Sequence, residues 1–191
     1  MAPRIILASA SPRRRELLDQ IGVRYKVLPV DIDESPFPGE LPEAYVRRIA
    51  AEKSAACLAR CGKPDLPVLA ADTAVVLGNR IMGKPRDRED ALAMLRKLSG
   101  KTHRVYSAVS IRGRRHAQAL NITEVTFRDM TEQEILAYWQ SGEPLDKAGG
   151  YAIQGLGSVF VKSIRGSFSG VMGLPLFETA ELLSQQGIEI F

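Results

Sequence analysis

Cysteine, histidine and aromatic residues are scarce in this chain, and each scarcity closes off a class of chemistry. Only Cys57 and Cys61 occur in 191 residues. Four apart within a helical pattern, they neither tie distant segments together nor complete a four-ligand metal site, and they read as two small, semi-buried side chains. The two histidines, His103 and His116, have no Cys or His at ligand spacing and read as ordinary polar strand residues. Aromatics make up 6% of the chain and do not interleave with the arginines, so a stacking platform for single-stranded nucleic acid is lacking. No apolar run is long enough to span a membrane and no signal-peptide pattern opens the chain, which makes a reducing cytoplasm the expected compartment. Walker A, a Gly-x-Gly-x-x-Gly after a strand, and a Ser-His-Asp arrangement are all missing.

What is present is an ordinary globular composition, 45% hydrophobic and 25% charged, in a chain long enough to bury a core without staples. A single domain over residues 1–191 is expected. The net charge of +4 favours anions but does not choose among them.

Ile5 to Leu18 carries the most telling local chemistry. A short apolar strand runs through Ser9 and Ser11 into a helix with Pro12 at its first position and Arg13, Arg14 and Arg15 in its first turn. Ser11 is a suitable N-cap. Cations at the positive end of a helix dipole are unfavourable by roughly 0.3 to 1 kcal/mol each, unless an anion joins them. Free N–H groups, hydroxyls and guanidinium forks together make such an anion site; a solvated basic turn is the plainer alternative.

Further along, Tyr25–Val30 reads as a strand running into the acidic, proline-punctuated loop Asp31–Gly39. Such a loop is either solvated or binds a divalent cation through oxygen ligands. Pro42 starts a long helix to about Arg60, in which Arg48, Glu52 and Lys53 read as surface ion-pairing charges. The run from Pro67 to Leu77 is strand-like and apolar except at Asp72-Thr73. A carboxylate in a buried strand requires a partner, which makes Asp72 the leading candidate for chemistry.

Gly78-Asn79 signals a hairpin that returns Lys84 toward that strand, either as a phosphate partner or as a solvated turn residue. Asp87 is the expected N-cap of a helix through Leu98, and two antiparallel strands follow around Gly113-Arg114-Arg115. Thr131 to Glu134 forms a capping box for a further helix. The glycine-rich stretch Asp146–Gly157 allows close backbone approach to a ligand, with Lys147 and Gln154 as polar heads. Val159–Ile164 reads as a strand, Gly166–Gly170 as a flexible loop, and Leu176 to Leu183 as a final helix. Helices interleaved with single strands and hairpins imply an α/β fold with a mixed sheet.

The inventory of Ser9, Arg13, Arg14, Lys53, Lys84 and Lys147 as anion partners, with Glu34 and Asp72 as metal ligands or base, suits polyphosphate hydrolysis. At this point the chain resembles a known family. Leu7-Ala8-Ser9-Ala10-Ser11-Pro12-Arg13-Arg14, Glu34-Ser35, Arg48-x-x-Ala51-x-Lys53, Ala71-Asp72-Thr73, Gly83-Lys84-Pro85, Asp146-Lys147-Ala148-Gly149 and Ile153-Gln154-Gly155 are similar, in order, to the motif series of the Maf nucleotide pyrophosphatases.

The resemblance implies a mixed twisted sheet with flanking helices and two lobes around a cleft, as in Maf and ITPase-like folds. It implies hydrolysis of a nucleoside triphosphate to monophosphate and pyrophosphate by water attack at the α-phosphorus, with Mg2+ or Mn2+. Asp72 is the implied proton acceptor, Glu34 with Asp72 the metal ligands, and Ser9, Arg14, Lys53 and Lys84 the phosphate contacts. Arg13, Thr73 and Gln154 match the branch acting on dTTP and UTP. That match leaves Arg15 as a solvated neighbour. A homodimer is the family expectation, and neither a membrane nor a stable nucleic-acid partner is expected. The competing reading is a nucleic-acid-binding or septum-regulating protein without significant catalysis.

Overall fold

The computed structural model describes residues 2–62 and 65–191. Its elements in chain order are β1 (Ile5–Leu7), α1 (Pro12–Gln20), β2 (Tyr25–Val27), α2 (Pro42–Cys61), β3 (Val68–Leu77), β4 (Arg80–Met82), α3 (Arg88–Leu98), β5 (Thr102–Arg112), β6 (His116–Phe127), α4 (Glu132–Gln140), β7 (Val161–Arg165), α5 (Phe168–Met172) and α6 (Leu176–Ser184). The seven strands form one mixed sheet in the order β2-β1-β3-β5-β6-β7, with β4 also paired to β3. Strand β1 is parallel to β2 and β3; every other pairing is antiparallel.

Strand β3 organises the molecule. One edge pairs with β5 along Val68–Val76. The other edge is shared: β1 takes Val68 and Leu69, β4 takes Val75–Leu77, and among the described residues no strand pairs with those between. Because side chains alternate along a strand, β3 also divides its neighbours by face. Val68, Ala70, Ala74 and Val76 join the clusters built with Val46, Ala50 and Cys57 of α2. On the opposite face, Leu69 and Ala71 pack with Leu17 and Leu18 of α1 and Leu182 and Leu183 of α6, whereas Val75 packs with Leu92, Leu95 and Leu98 of α3 and Ile135 and Tyr138 of α4. Thr73 lies on that face between the two clusters. A cleft of about 1100 Å³ opens beside it along the uncovered edge of β3 and is lined from both faces of the sheet, by Asp72 and Ala74 as well as Thr73 and Val75.

Local chemistry accounts for most boundaries. Helix α2 has Pro42 in its first turn and ends at Gly62 with φ +73, a left-handed conformation that favours glycine. The Asp87 carboxylate accepts from Asp90 N–H at 2.8 Å and caps α3. Both reciprocal bonds of the Thr131/Glu134 capping box are formed at α4.

Four expectations are corrected. Strand β2 stops at Val27, two residues before Pro29, which has no N–H to give a ladder. Residues Leu156–Phe160 form a 3-10 turn, so β7 begins only at Val161. The expected flexible loop 166–170 contains the start of α5, whose N-cap Ser167 accepts from Gly170 N–H at 3.0 Å. His103 is no ordinary polar strand residue: it is 1% exposed, inside the α3/α4 cluster, against Phe127 and Tyr151. Among the described residues no helix is long and apolar enough to cross a membrane.

Candidate active site

Helix α2 crosses the face of β3 that carries Asp72, and Lys53 is the residue it sets above that carboxylate. The Lys53 ammonium lies 2.9 Å from Asp72 Oδ1 and 2.9 Å from Glu34 Oε1. Lys53 and Asp72 are buried, while the Glu34 side chain is 48% exposed at the mouth of the cleft. The expectation of Lys53 as a surface ion-pairing charge is thus corrected: packing of α2 on β3 carries it inward, where pairing offsets the desolvation cost of a buried charge. Burial pushes the Asp72 carboxyl above its ordinary range, and Lys53 and then Arg14 pull against that rise.

The acidic loop bearing Glu34 is anchored rather than loose. Arg48 donates to Glu40 through Nε and Nη2, both at 2.7 Å, and to the Ser35 carbonyl at 3.1 Å, with its guanidinium 3.9 Å above the Phe37 ring. Tyr45 donates its hydroxyl to the Glu34 carbonyl at 2.9 Å. Arg48, read from sequence as one more helix charge, fixes the loop.

Opposite this group stands the strand-to-helix turn. The Ser11 side chain does not cap α1; instead Ser9 Oγ accepts from Ser11 N–H at 3.2 Å and from Arg14 Nη1 at 3.1 Å. Arg14 Nε donates to the Gly173 carbonyl at 2.9 Å, and burial lowers its pKa against the pull of Asp72. Arg13 faces the cleft, its pKa also lowered by burial and opposed by Glu16 and Asp146. Arg15 is half-buried, with a buried Nε that has no hydrogen-bond partner among the described residues, so it is not the solvated neighbour expected.

The far wall comes from the glycine-rich stretch. Gly149 N–H donates to the Gly83 carbonyl at 3.0 Å, tying that stretch to the Lys84 turn. Burial lowers the Lys147 pKa, and Arg13 and Lys84, which line the cleft with it, add to the lowering while Asp146 and Glu143 oppose it. Asp146 has φ +59, a left-handed conformation that aspartate tolerates better than most residues. Gln154 is exposed on the cleft. Its backbone is held by a side-chain pair: Tyr138 accepts from Ala152 N–H at 3.1 Å and donates to Glu143 at 2.7 Å, while Glu143 accepts from Leu156 and Gly157 N–H groups, each at 2.8 Å. Thr73 Oγ1 lies 2.9 Å from Ser107 Oγ, which donates to the Gly170 carbonyl at 2.6 Å.

The donor set fits a hard divalent cation. Glu34 and Asp72 aim oxygens at one point, now held by the lysine ammonium. No group of three His, Cys, Asp or Glu able to hold a metal occurs among the described residues. Two carboxylates completed by substrate phosphates and water are the usual setting for Mg2+, in contrast to an all-protein cage.

The family model "Maf: Maf-like protein" matches residues 4–186. This chain belongs to the Maf family. Its curated Maf relatives include the dTTP/UTP pyrophosphatase of Methylococcus capsulatus, 56% identical over 97% of this chain and 92% of that one. Another is the dTTP/UTP pyrophosphatase of Alkalilimnicola ehrlichii, 53% identical over 98% of this chain and 95% of the other. A solved structure titled "The structure of the Staphylococcus aureus Ham1 protein" shares 17% identity over 82% of this chain and 79% of that one, with a TM-score of 0.46, a distant likeness. In this Maf chain, Ser9, Arg13, Arg14, Glu34, Lys53, Asp72, Thr73, Lys84 and Gln154 all line the one cleft. Glu16, Asp146 and Lys147 line it too. Glu16 escaped sequence reading, since nothing local distinguishes it from a solvated helix charge, and Asp146 stood in the glycine-rich stretch without a role of its own.

Proposed function

We propose that this chain is a nucleoside triphosphate pyrophosphatase that hydrolyses dTTP and UTP, and modified pyrimidine nucleotides, to the monophosphate and pyrophosphate. The names of its near-full-length relatives support the substrate class. The observation that carries the chemistry is the convergence of Asp72, Glu34 and Lys53 in a cleft that Arg13, Arg14, Lys84 and Lys147 also line. The free thiols Cys57 and Cys61 are compatible with work on the nucleotide pool of a reducing cytoplasm.

In this reading Ser9, Arg14, Lys53 and Lys84 bind the triphosphate, and Arg13, Thr73 and Gln154 face the base. Glu34 and Asp72 would hold Mg2+ or Mn2+, which when bound neutralises nonbridging oxygens and polarises the phosphorus. Asp72 accepts a proton from the attacking water as the new P–O bond forms on the α-phosphorus; the bond to the bridging oxygen breaks and pyrophosphate leaves. Burial makes Asp72 a stronger base than a solvated carboxylate. With a cation held by Glu34 and Asp72, the Lys53 ammonium would be available to the phosphates. The nucleic-acid-binding alternative draws no support from the cleft, whose aromatic lining is Tyr45 and Tyr151 alone.

Pyrophosphate release from a panel of nucleotides with Mg2+ tests the proposal. Asp72→Asn and Asp72→Ala are expected to lose roughly 10²- to 10⁴-fold in kcat, the range for a general base. Turnover that survives both substitutions would remove Asp72 from the reaction.

A further inference from the structure

The hydroxyl chain behind the cleft has a direction. Ser107 is fully buried in β5, directly across the ladder from Thr73. It has one proton, and the Gly170 carbonyl 2.6 Å away can only accept, so Ser107 donates there. With that proton committed, the 2.9 Å contact between Ser107 Oγ and Thr73 Oγ1 requires Thr73 to be the donor. Two acceptor oxygens facing each other in a buried site would cost more than the bond returns. The Thr73 proton therefore points away from the cleft, and its oxygen offers only lone pairs to a ligand.

We infer that Ser107 is a positioning residue for base selection: by orienting the Thr73 hydroxyl, it makes Thr73 an obligate acceptor that requires a hydrogen-bond donor on the base. This rests on the proposal that Thr73 faces the base. Thymine and uracil have one ring donor on their pairing edge, N3–H, whereas cytosine has a lone pair at N3. With the triphosphate held at Ser9 and Arg14, the base does not slide to bring the cytosine amino group into register. Cytosine then sets a lone pair against the Thr73 lone pairs. A rotatable threonine hydroxyl would donate to cytosine as readily as it accepts from uracil; the relay through Ser107 to the Gly170 carbonyl removes that freedom. The carbonyl itself is fixed, because Gly170 lies in α5, where Gly173 N–H also bonds to it at 3.0 Å.

The test is the ratio of kcat/KM for UTP over CTP, with UMP and CMP binding by calorimetry as a readout independent of turnover. Ser107→Ala leaves the Thr73 hydroxyl free and is expected to lower the ratio about tenfold, chiefly by improving CTP. In a Thr73→Val background the same substitution is expected to change the ratio less than about twofold, because Ser107 acts through the threonine. Ser107→Cys keeps the shape of the side chain with a larger atom that is a weaker donor and acceptor, and gives an intermediate ratio should the alanine variant fold poorly. An unchanged ratio in Ser107→Ala or Ser107→Cys overturns the inference, as does an equal fall with and without the Thr73 hydroxyl. If the unsubstituted protein releases pyrophosphate but Thr73→Val alone keeps full selectivity, the placement of Thr73 against the base fails first, and the inference with it. Absence of pyrophosphate release from any nucleotide refutes the proposed activity, and the UMP and CMP comparison still decides the inference.

Discussion

His103 is a titratable group sealed among aromatic rings, with Nε2 2.8 Å from the Tyr151 hydroxyl and Nδ1 without a partner among the described residues. Burial pushes its pKa down to about 4. An unfolded histidine titrates near 6.5, so between those values the unfolded chain takes up a proton that the folded chain refuses. The stabilising contribution is complete above about pH 6.5 and is lost as pH falls toward 4, amounting to on the order of 3 kcal/mol. Urea unfolding at pH 7 and pH 4.5 is expected to show the loss, and His103→Gln to show less of it. Equal pH dependence in the two proteins would mean that His103 is already charged or solvated when folded. The burial of His103, like that of Lys53, depends on partners 48 and 19 residues away in sequence, Tyr151 and Asp72. A local pattern gives a helix lysine or a strand histidine no such address. Asp72 was legible because an acid inside an apolar run is costly wherever the strand ends up.

Elements announce themselves through their ends. The Asp87 cap, the Thr131 box, Pro42 and Gly62 are short-range signals, and α2, α3 and α4 form where those signals fall. Helix α5 was missed because Gly166 to Gly170 has the composition of a loop; only the Ser167 cap marks it, and packing of Val171 and Met172 completes it. The segment around Gln154 is irregular and borrows its rigidity from α4 through Tyr138. A methyl at Gly157 would sit 2.6 Å from the Tyr138 oxygen, so the glycine is what permits that contact. Tyr138→Phe keeps the ring against Phe160 but leaves the buried Ala152 N–H without its acceptor. The expected cost is about 1–3 kcal/mol in urea unfolding. A variant as stable as the parent would show that the segment finds another acceptor.

At the scale of the molecule, two apolar clusters share one sheet and the cleft lies where they part. A ligand bound there stabilises the folded chain by mass action: a non-hydrolysable dTTP analogue with Mg2+ at a hundred times its Kd adds about 2.7 kcal/mol. For a domain of this size that is a rise in Tm of roughly 5–10 °C by scanning calorimetry. Arg14→Ala, which removes a guanidinium bonded to both Ser9 and Gly173, is expected to reduce the rise; no rise at all in the parent would place nucleotide binding elsewhere. The cleft exists because β1 and β4 each cover only one end of an edge of β3. On that edge the Leu69 carbonyl accepts from Ala8, and strand alternation turns the peptide groups of Thr73 the same way, toward the gap. A nucleotide held as proposed would thus meet main chain as well as side chains, and main chain is identical in every variant of an alanine scan. Replacing the Thr73 amide by an ester, which deletes one N–H and leaves every side chain in place, would expose that share of the recognition.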